Sequence, residues 1–240
     1  MRLDLRTLRT ARGATVAALD YEPRRPRDVG LAVGHGYSSS KHNLDFLCGF
    51  LASHGYRVAS IDFPGHKLGA SGGRLETVDD LTDALGAAVS YLREQYGTPV
   101  YTVGHSMGAM TALRTCAADP AIAGAISIAT GYGRPSALAA LGALGVVDLR
   151  SAYVDGLTLQ EMVVATEPLL EEALARLAGR PVLYVAAERD GMVSLASARE
   201  LFERAPEPKT FATIDSDHTT AGDNARATVL AWLNERHARP

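Results

Sequence analysis

The stretch Gly104-His105-Ser106-Met107-Gly108 sets a serine between two glycines, each two residues away. The apolar run Pro99-Val100-Tyr101-Thr102-Val103 precedes it, and the small-residue segment Ala109 to Cys116 follows. That order reads as strand, tight turn, helix, the context in which G-x-S-x-G is a nucleophile elbow. The turn presents the serine hydroxyl outward, and the glycines remove side chains that would collide with the neighbouring strand and helix. A serine hydroxyl is a weak nucleophile until a base takes its proton. The following helix directs its free N–H groups at the negative charge that develops during acyl transfer. Such a serine therefore requires a histidine, a carboxylate and two converging amides from elsewhere in the chain.

The chain that must supply them has 240 residues, 47% hydrophobic and 21% charged. That suits one domain with a sizeable core. A formal net charge of -3 and the lack of a basic stripe argue against nucleic acid as a partner. Cys48 and Cys116 lie in apolar, helical stretches and read as buried free thiols. No cysteine and histidine cluster has zinc-ligand spacing, so neither a metal nor an organic cofactor is expected. The charged, alternating start Met1 to Arg6 has no apolar signal-like core, and no run reaches membrane-spanning length. A soluble, cytoplasmic protein is the expectation.

Residues 3–10 and 14–21 read as a hairpin around Ala11-Arg12-Gly13. Val29 to Val33 is a short continuous apolar run, the pattern of a strand covered on both faces. A helix over Asn43–His54, a strand over Tyr56–Ile61 and a long helix from Thr77 to about Tyr96 follow. Thr77 is its expected cap, with Asp80 at the capping-box position. After the elbow helix come a strand over Ile122–Ala129 and then residues 131–166, which break the rhythm. Two short helices, Ser136–Leu144 and Leu157–Thr166, are expected in that insertion. A helix over Pro168–Ala178, strands at 181–186 and 209–214, and helices at 194–204 and 224–236 complete the chain. Alternating strand and helix imply a mainly parallel sheet with helices on both faces, the hairpin forming its antiparallel edge. Loops beyond the C-terminal strand ends, at 34–40, 62–73, 104–108, 188–193 and 215–220, are where binding residues belong.

With the elbow, the turn His35-Gly36-Tyr37, the turn Asp62-Phe63-Pro64-Gly65-His66 and a late histidine loop, the sequence resembles an α/β-hydrolase over nearly its whole length. The resemblance implies a single domain, 1–240, with an eight-stranded sheet and a small helical cap at about 131–166. It implies Ser106 as nucleophile and His218, on the loop before the last helix, as general base. Asp190, in a turn resembling the family's D-x-x-V, is the implied orienting carboxylate; Glu188 is a rival on the same loop and Asp62 a weaker one. The order serine, aspartate, histidine is the family's. Met107, after the nucleophile, and Tyr37, in the H-G-x turn, are the implied oxyanion-hole amides. His35 and His66 are expected to fix loops by hydrogen bonds, and Asp215 and Asp217 to shape the histidine loop. One departure stands out: Lys67-Leu68 lengthens the turn before Gly69-Ala70-Ser71.

Gly36 and Ser38, with Leu138, Leu141 and Met162 from the apolar insertion, are the expected substrate contacts. The expected activity is hydrolysis of small to medium apolar carboxylic esters through an acyl-enzyme, by a monomer or homodimer. A thioesterase or acyltransferase with the same triad is the alternative, for which a basic rim including Lys41 and Lys67 would speak. A non-catalytic binding protein of the same fold is a third reading.

Overall fold

The computed structural model describes residues 1–134, 136, 139 and 148–237. Strands β1 (Arg2–Arg9) and β2 (Thr15–Glu22) form the N-terminal hairpin. Strands β3 (Gly30–Gly34), β4 (Arg57–Ile61), β5 (Val100–His105), β6 (Gly124–Ile128), β7 (Val182–Ala187) and β8 (Lys209–Ile214) complete one sheet of eight strands. Its order is β1-β2-β4-β3-β5-β6-β7-β8, antiparallel from β1 to β4 and parallel onward. Alternate residues of the central strands enter two separate cores. Leu31, Val33, Tyr101 and Val103 face helices α1 (Asp45–Ser53) and α7 (Arg226–Arg236); Ala32 and Ala125 face α2 (Asp79–Tyr96) and α3 (Met107–Ala118). Both faces are thus covered, which is why β3 and β6 are apolar or small and buried throughout.

Two local expectations change. Thr77 does not cap α2: the Asp80 carboxylate instead accepts from the Glu76 and Thr77 amides, at 3.0 and 2.7 Å, so only the backward-reaching half of a capping box forms. The helices expected at Leu157–Thr166 and Pro168–Ala178 are one helix, α4 (Leu159–Ala175), running through Pro168. A proline inside a helix removes a hydrogen bond and costs about 3 kcal/mol. Here Met162, Val163 and Thr166 before it and Leu170, Ala173 and Leu174 after it share one buried face, and their burial offsets that loss. Thr158 caps α4 in a full capping box with Glu161. Before it, a 3-10 turn spans Leu149–Tyr153. The expected helix at Ser136–Leu144 falls largely outside the described residues. Helices α5 (Leu195–Arg204) and α6 (Ala221–Asn224) lie after β7 and β8 respectively.

The segment 149–158 is fastened to the loop after β4. The Asp155 amide donates to the Gly65 carbonyl and the Asp155 carbonyl accepts from the Leu75 amide, both at 2.8 Å; the Leu157 amide donates to the Leu75 carbonyl at 2.8 Å. The extra residue Lys67 joins this contact, its amide 3.0 Å from the Tyr153 carbonyl and its Nζ 3.1 Å from Asp155. The longer turn noted in the sequence is therefore a foot under the cap.

Polar groups are buried beneath the strand ends. Lys41 Nζ lies 2.6 Å from Asp62, both almost wholly buried, and Asp62 also accepts from the amides of Lys41 and Ala70, each at 2.7 Å. Burial raises the Asp62 pKa, but these donors outweigh it and hold the carboxyl below its ordinary range. Removing one partner of a buried pair strands the other charge. Lys41→Met should lose about 3–5 kcal/mol of unfolding free energy in urea titrations, with Lys41→Met/Asp62→Leu recovering part of it; an unchanged midpoint in the single variant would show the pair to be expendable.

Three histidines stand nearby, His35 and His66 buried and His105 partly so. Burial, then neighbouring positive charge, lowers the pKa of His35 and takes His105 down to about 4; burial also lowers that of His66. Unfolding releases each to its ordinary 6.5, so below that pH the unfolded chain binds more protons than the folded one. Stability should therefore fall as pH drops from about 7.5 to about 5, by at most about 2 kcal/mol per histidine. The carboxylates held low, Asp62 and Asp190, add their loss only below the ordinary 3.8. Urea unfolding at the two pH values measures the difference, which His105→Gln should narrow; equal stabilities would contradict it.

Candidate active site

Ser106 follows β5 and opens α3 with a left-handed backbone, φ 55° and ψ -113°. The crowding at this corner explains both flanking glycines. A Cβ on Gly104 would lie 2.0 Å from the Gly108 carbonyl oxygen, and one on Gly108 would lie 2.1 Å from that of Gly34. Strands β3 and β5 and helix α3 can meet so closely only without those side chains.

His218, from the loop after β8, reaches the hydroxyl: its Nε2 is 3.0 Å from Ser106 Oγ. Its Nδ1 is 2.7 Å from Asp190 Oδ2, on the loop after β7. The other carboxylate oxygen, Oδ1, accepts from the amides of Met192 and Val193 at 2.7 and 2.8 Å. Burial raises the Asp190 pKa, yet the hydrogen bond and charge of His218, with the two amides, hold it below its ordinary range. An ionised Asp190 fixes the proton on Nδ1 and leaves Nε2 free to accept from Ser106. Glu188 is exposed and makes no bond to His218, and Asp62 is committed to Lys41. Of the three carboxylates weighed from the sequence, the structure brings Asp190 to the histidine.

The histidine loop is fixed from several sides. His105 Nε2 lies 2.7 Å from the His218 carbonyl oxygen, so the neighbour of Ser106 points away from the hydroxyl and holds the loop. Asp217 Oδ1 accepts from the Thr220 amide at 2.8 Å and from its hydroxyl at 2.9 Å. Asp215 pairs with Arg189, joining the β7 and β8 loops, as does the Arg189 amide with the Ser216 carbonyl at 2.9 Å.

Across the site, His35 spans the turn after β3. Its Nδ1 lies 2.8 Å from the Gly36 carbonyl and its Nε2 accepts from the Phe63 amide at 3.0 Å. That places the Nδ1 proton and shapes the turn that carries Tyr37. The Tyr37 ring packs edge-on against His66, and its hydroxyl donates to the Leu157 carbonyl at 2.8 Å, tying this turn to the cap. The amide of Met107, first of its helix, has no acceptor inside it.

A cleft of about 210 Å³ opens over Ser106 and His218. Gly36 and Ser38 line it, as expected from the sequence. Met162 does not: it is fully buried within α4, where the helix face that looked like a pocket wall is packing. Leu138 and Leu141 lie outside the described residues. The sequence reading missed Asn43, Leu44, Thr219 and Arg150, which also line the cleft. Among the described residues no three metal-ligating side chains cluster, and no helix is long and apolar enough to cross a membrane.

Known structures share this arrangement of strands and helices. Est1E from Butyrivibrio proteoclasticus, solved with ferulic acid bound, superposes with a TM-score of 0.79 at 19% identity, covering 98% of this chain and 100% of that one. The esterase domain of a Rhodothermus marinus protein gives 0.72 at 23% identity, with 99% of each chain covered. An esterase from Pyrococcus furiosus gives 0.74 at 18% identity, covering 99% and 92%. At such identities these likenesses speak for the fold. No curated protein sequence matches the chain. Residues 26–159 match the family model described as serine aminopeptidase, S33, and since this is more than half of the 240 residues, the chain belongs to that family of α/β-hydrolases.

Proposed function

We propose that the protein is a serine hydrolase that cleaves small carboxylic esters through an acyl-enzyme. The observation that carries this reading is the relay in which Ser106 Oγ, His218 and Asp190 Oδ2 are joined by contacts of 3.0 and 2.7 Å. Ser106 attacks the ester carbonyl while Nε2 of His218 takes its proton. Asp190 stabilises the imidazolium that forms. The amides of Tyr37 and Met107 receive the oxyanion. His218 then gives its proton to the leaving alcohol, and water activated by the same nitrogen releases the acid.

Esters rather than amino-terminal peptides fit the cleft. An aminopeptidase must hold a free ammonium, for which a carboxylate is the natural partner. The described lining contains none and contains Arg150 instead. Two of the structural neighbours named above, from Rhodothermus marinus and Pyrococcus furiosus, are esterases, which supports the same choice. The small cleft supports a small substrate; drug-sized ligands occupy pockets of roughly 300–1,000 Å³. The basic rim that would have favoured carrier-bound thioesters loses Lys41 to Asp62 and Lys67 to Asp155.

Ser106→Ala should lower the hydrolysis of short p-nitrophenyl esters by about 10³-fold or more, and Asp190→Asn by a comparable order, with circular dichroism unchanged. Labelling of the wild type, and not of Ser106→Ala, by a fluorophosphonate probe should accompany this. Undiminished turnover in Ser106→Ala would end the proposal.

A further inference from the structure

The described lining of the cleft over Ser106 is largely polar. Ser38, Ser39, Asn43 and Thr219 contribute to its wall, and Leu44 is its one aliphatic side chain among the described residues. Arg150 enters it from the cap. No described carboxylate pairs with the Arg150 guanidinium. The nearest in sequence, Asp148, is otherwise engaged: its Oδ1 accepts from the amides of Arg150 and Ser151 at 3.1 and 3.3 Å, and its Oδ2 from the Ser151 hydroxyl.

The turn that carries Arg150 is held firmly. Ser151 Oγ accepts from the Leu159 amide at 3.0 Å and lies 3.1 Å from the Tyr37 hydroxyl. The turn that carries Tyr37 and the turn that carries Arg150 are thereby joined. A second cation is close by. Arg134 is 4% exposed, and among the described residues its guanidinium has no hydrogen-bond partner; only its main-chain amide bonds Glu167, at 3.2 Å. Burial lowers its pKa against the pull of Asp190 and Glu167, and Arg150 adds to the lowering. Asp190 is already matched by His218, and Glu167 by the Gly133 and Arg134 amides. Arg150 thus meets no negative charge in the described lining of the cleft over Ser106, and Arg134 adds positive charge nearby.

Resting on the hydrolase reading above, we propose that Arg150 is a specificity-determining residue that pairs with a free carboxylate on the ester substrate. Guanidinium and carboxylate meet through two parallel hydrogen bonds, which orient the ester as well as hold it. The carboxylate can sit on the acid or on the alcohol part, and matched pairs of esters separate these. On the acid side, p-nitrophenyl hemiglutarate is compared with p-nitrophenyl valerate. On the alcohol side, 4-(butyryloxy)benzoate is compared with its methyl ester.

The readout is the ratio of kcat/KM for the charged ester over the neutral one, corrected for spontaneous hydrolysis. In the wild type at least one pair should favour the charged ester. In Arg150→Gln that ratio should fall about tenfold, Arg150→Lys should keep part of it, and added salt should erode it. Because it is a ratio, a merely structural defect, which slows both esters, leaves it unmoved. No preference in either pair, or a preference that survives Arg150→Gln, overturns the proposal. Calorimetric binding of the same charged esters to Ser106→Ala and to Ser106→Ala/Arg150→Gln reads the contact without turnover. If the wild type hydrolyses no ester the hydrolase reading fails, while weaker binding by the double variant still supports Arg150 and equal binding overturns its role.

Discussion

The structure turns on how closely β3, β5 and α3 approach one another at Gly34, Gly104 and Gly108. Carbonyl oxygens stand about 2 Å from where Cβ atoms would be, so the backbones touch directly. That contact forces the chain between β5 and α3 into the left-handed region at Ser106, a conformation that costs a non-glycine residue about 1–3 kcal/mol. Two cores, one on each face of the sheet, hold the corner closed. What the strain secures is direction. The serine hydroxyl leaves the end of the sheet where the loops after β7 and β8 bring a carboxylate and a histidine.

The cap depends on the same end of the sheet. It is not a free lid over the described span 149–158, because it hydrogen-bonds to Gly65 and Leu75 below and to the Tyr37 hydroxyl. Tyr37 therefore does two things at once. Its backbone sits in the turn that His35 shapes, and its side chain fixes the height of the segment that carries Arg150. A cleft whose roof and floor share one side chain keeps its dimensions better than one closed by a loop alone.

Much of this was legible in the sequence, for reasons particular residues make plain. Continuous apolar runs such as Val29–Val33 can only be strands covered on both sides, and their alternation with helices fixes a parallel sheet. Ser106 could be read because its turn needs glycine at two positions for steric reasons, and such needs leave a mark in the sequence. Asp190 and His218 could be placed because they follow the late strands where the family that the sequence resembles carries its acid and its histidine. The cap could not be read in the same way. Pro168 looked like a boundary, and the helix passes through it because a buried face on either side outweighs the lost hydrogen bond. Met162 looked like a pocket wall because an apolar helix face is the same whether it meets a ligand or a core. Arg150 was passed over because no local pattern tells an arginine in solvent from one turned into a cleft.

Asp62 and Asp190 show how one residue type takes opposite parts. Each follows a parallel strand, β4 or β7, each is buried, and each is held ionised against the pull of burial. Asp62 is held by a lysine ammonium 2.6 Å away and by two amides. That pair fastens the loop after β3 to the loop after β4. Asp190 gives one oxygen to two amides and keeps the other for a histidine. On the mechanism proposed above, the histidine takes the serine proton and the carboxylate's charge then faces the cation formed beside it. The identity of the partner, and not of the aspartate, separates the structural site from the one proposed to react.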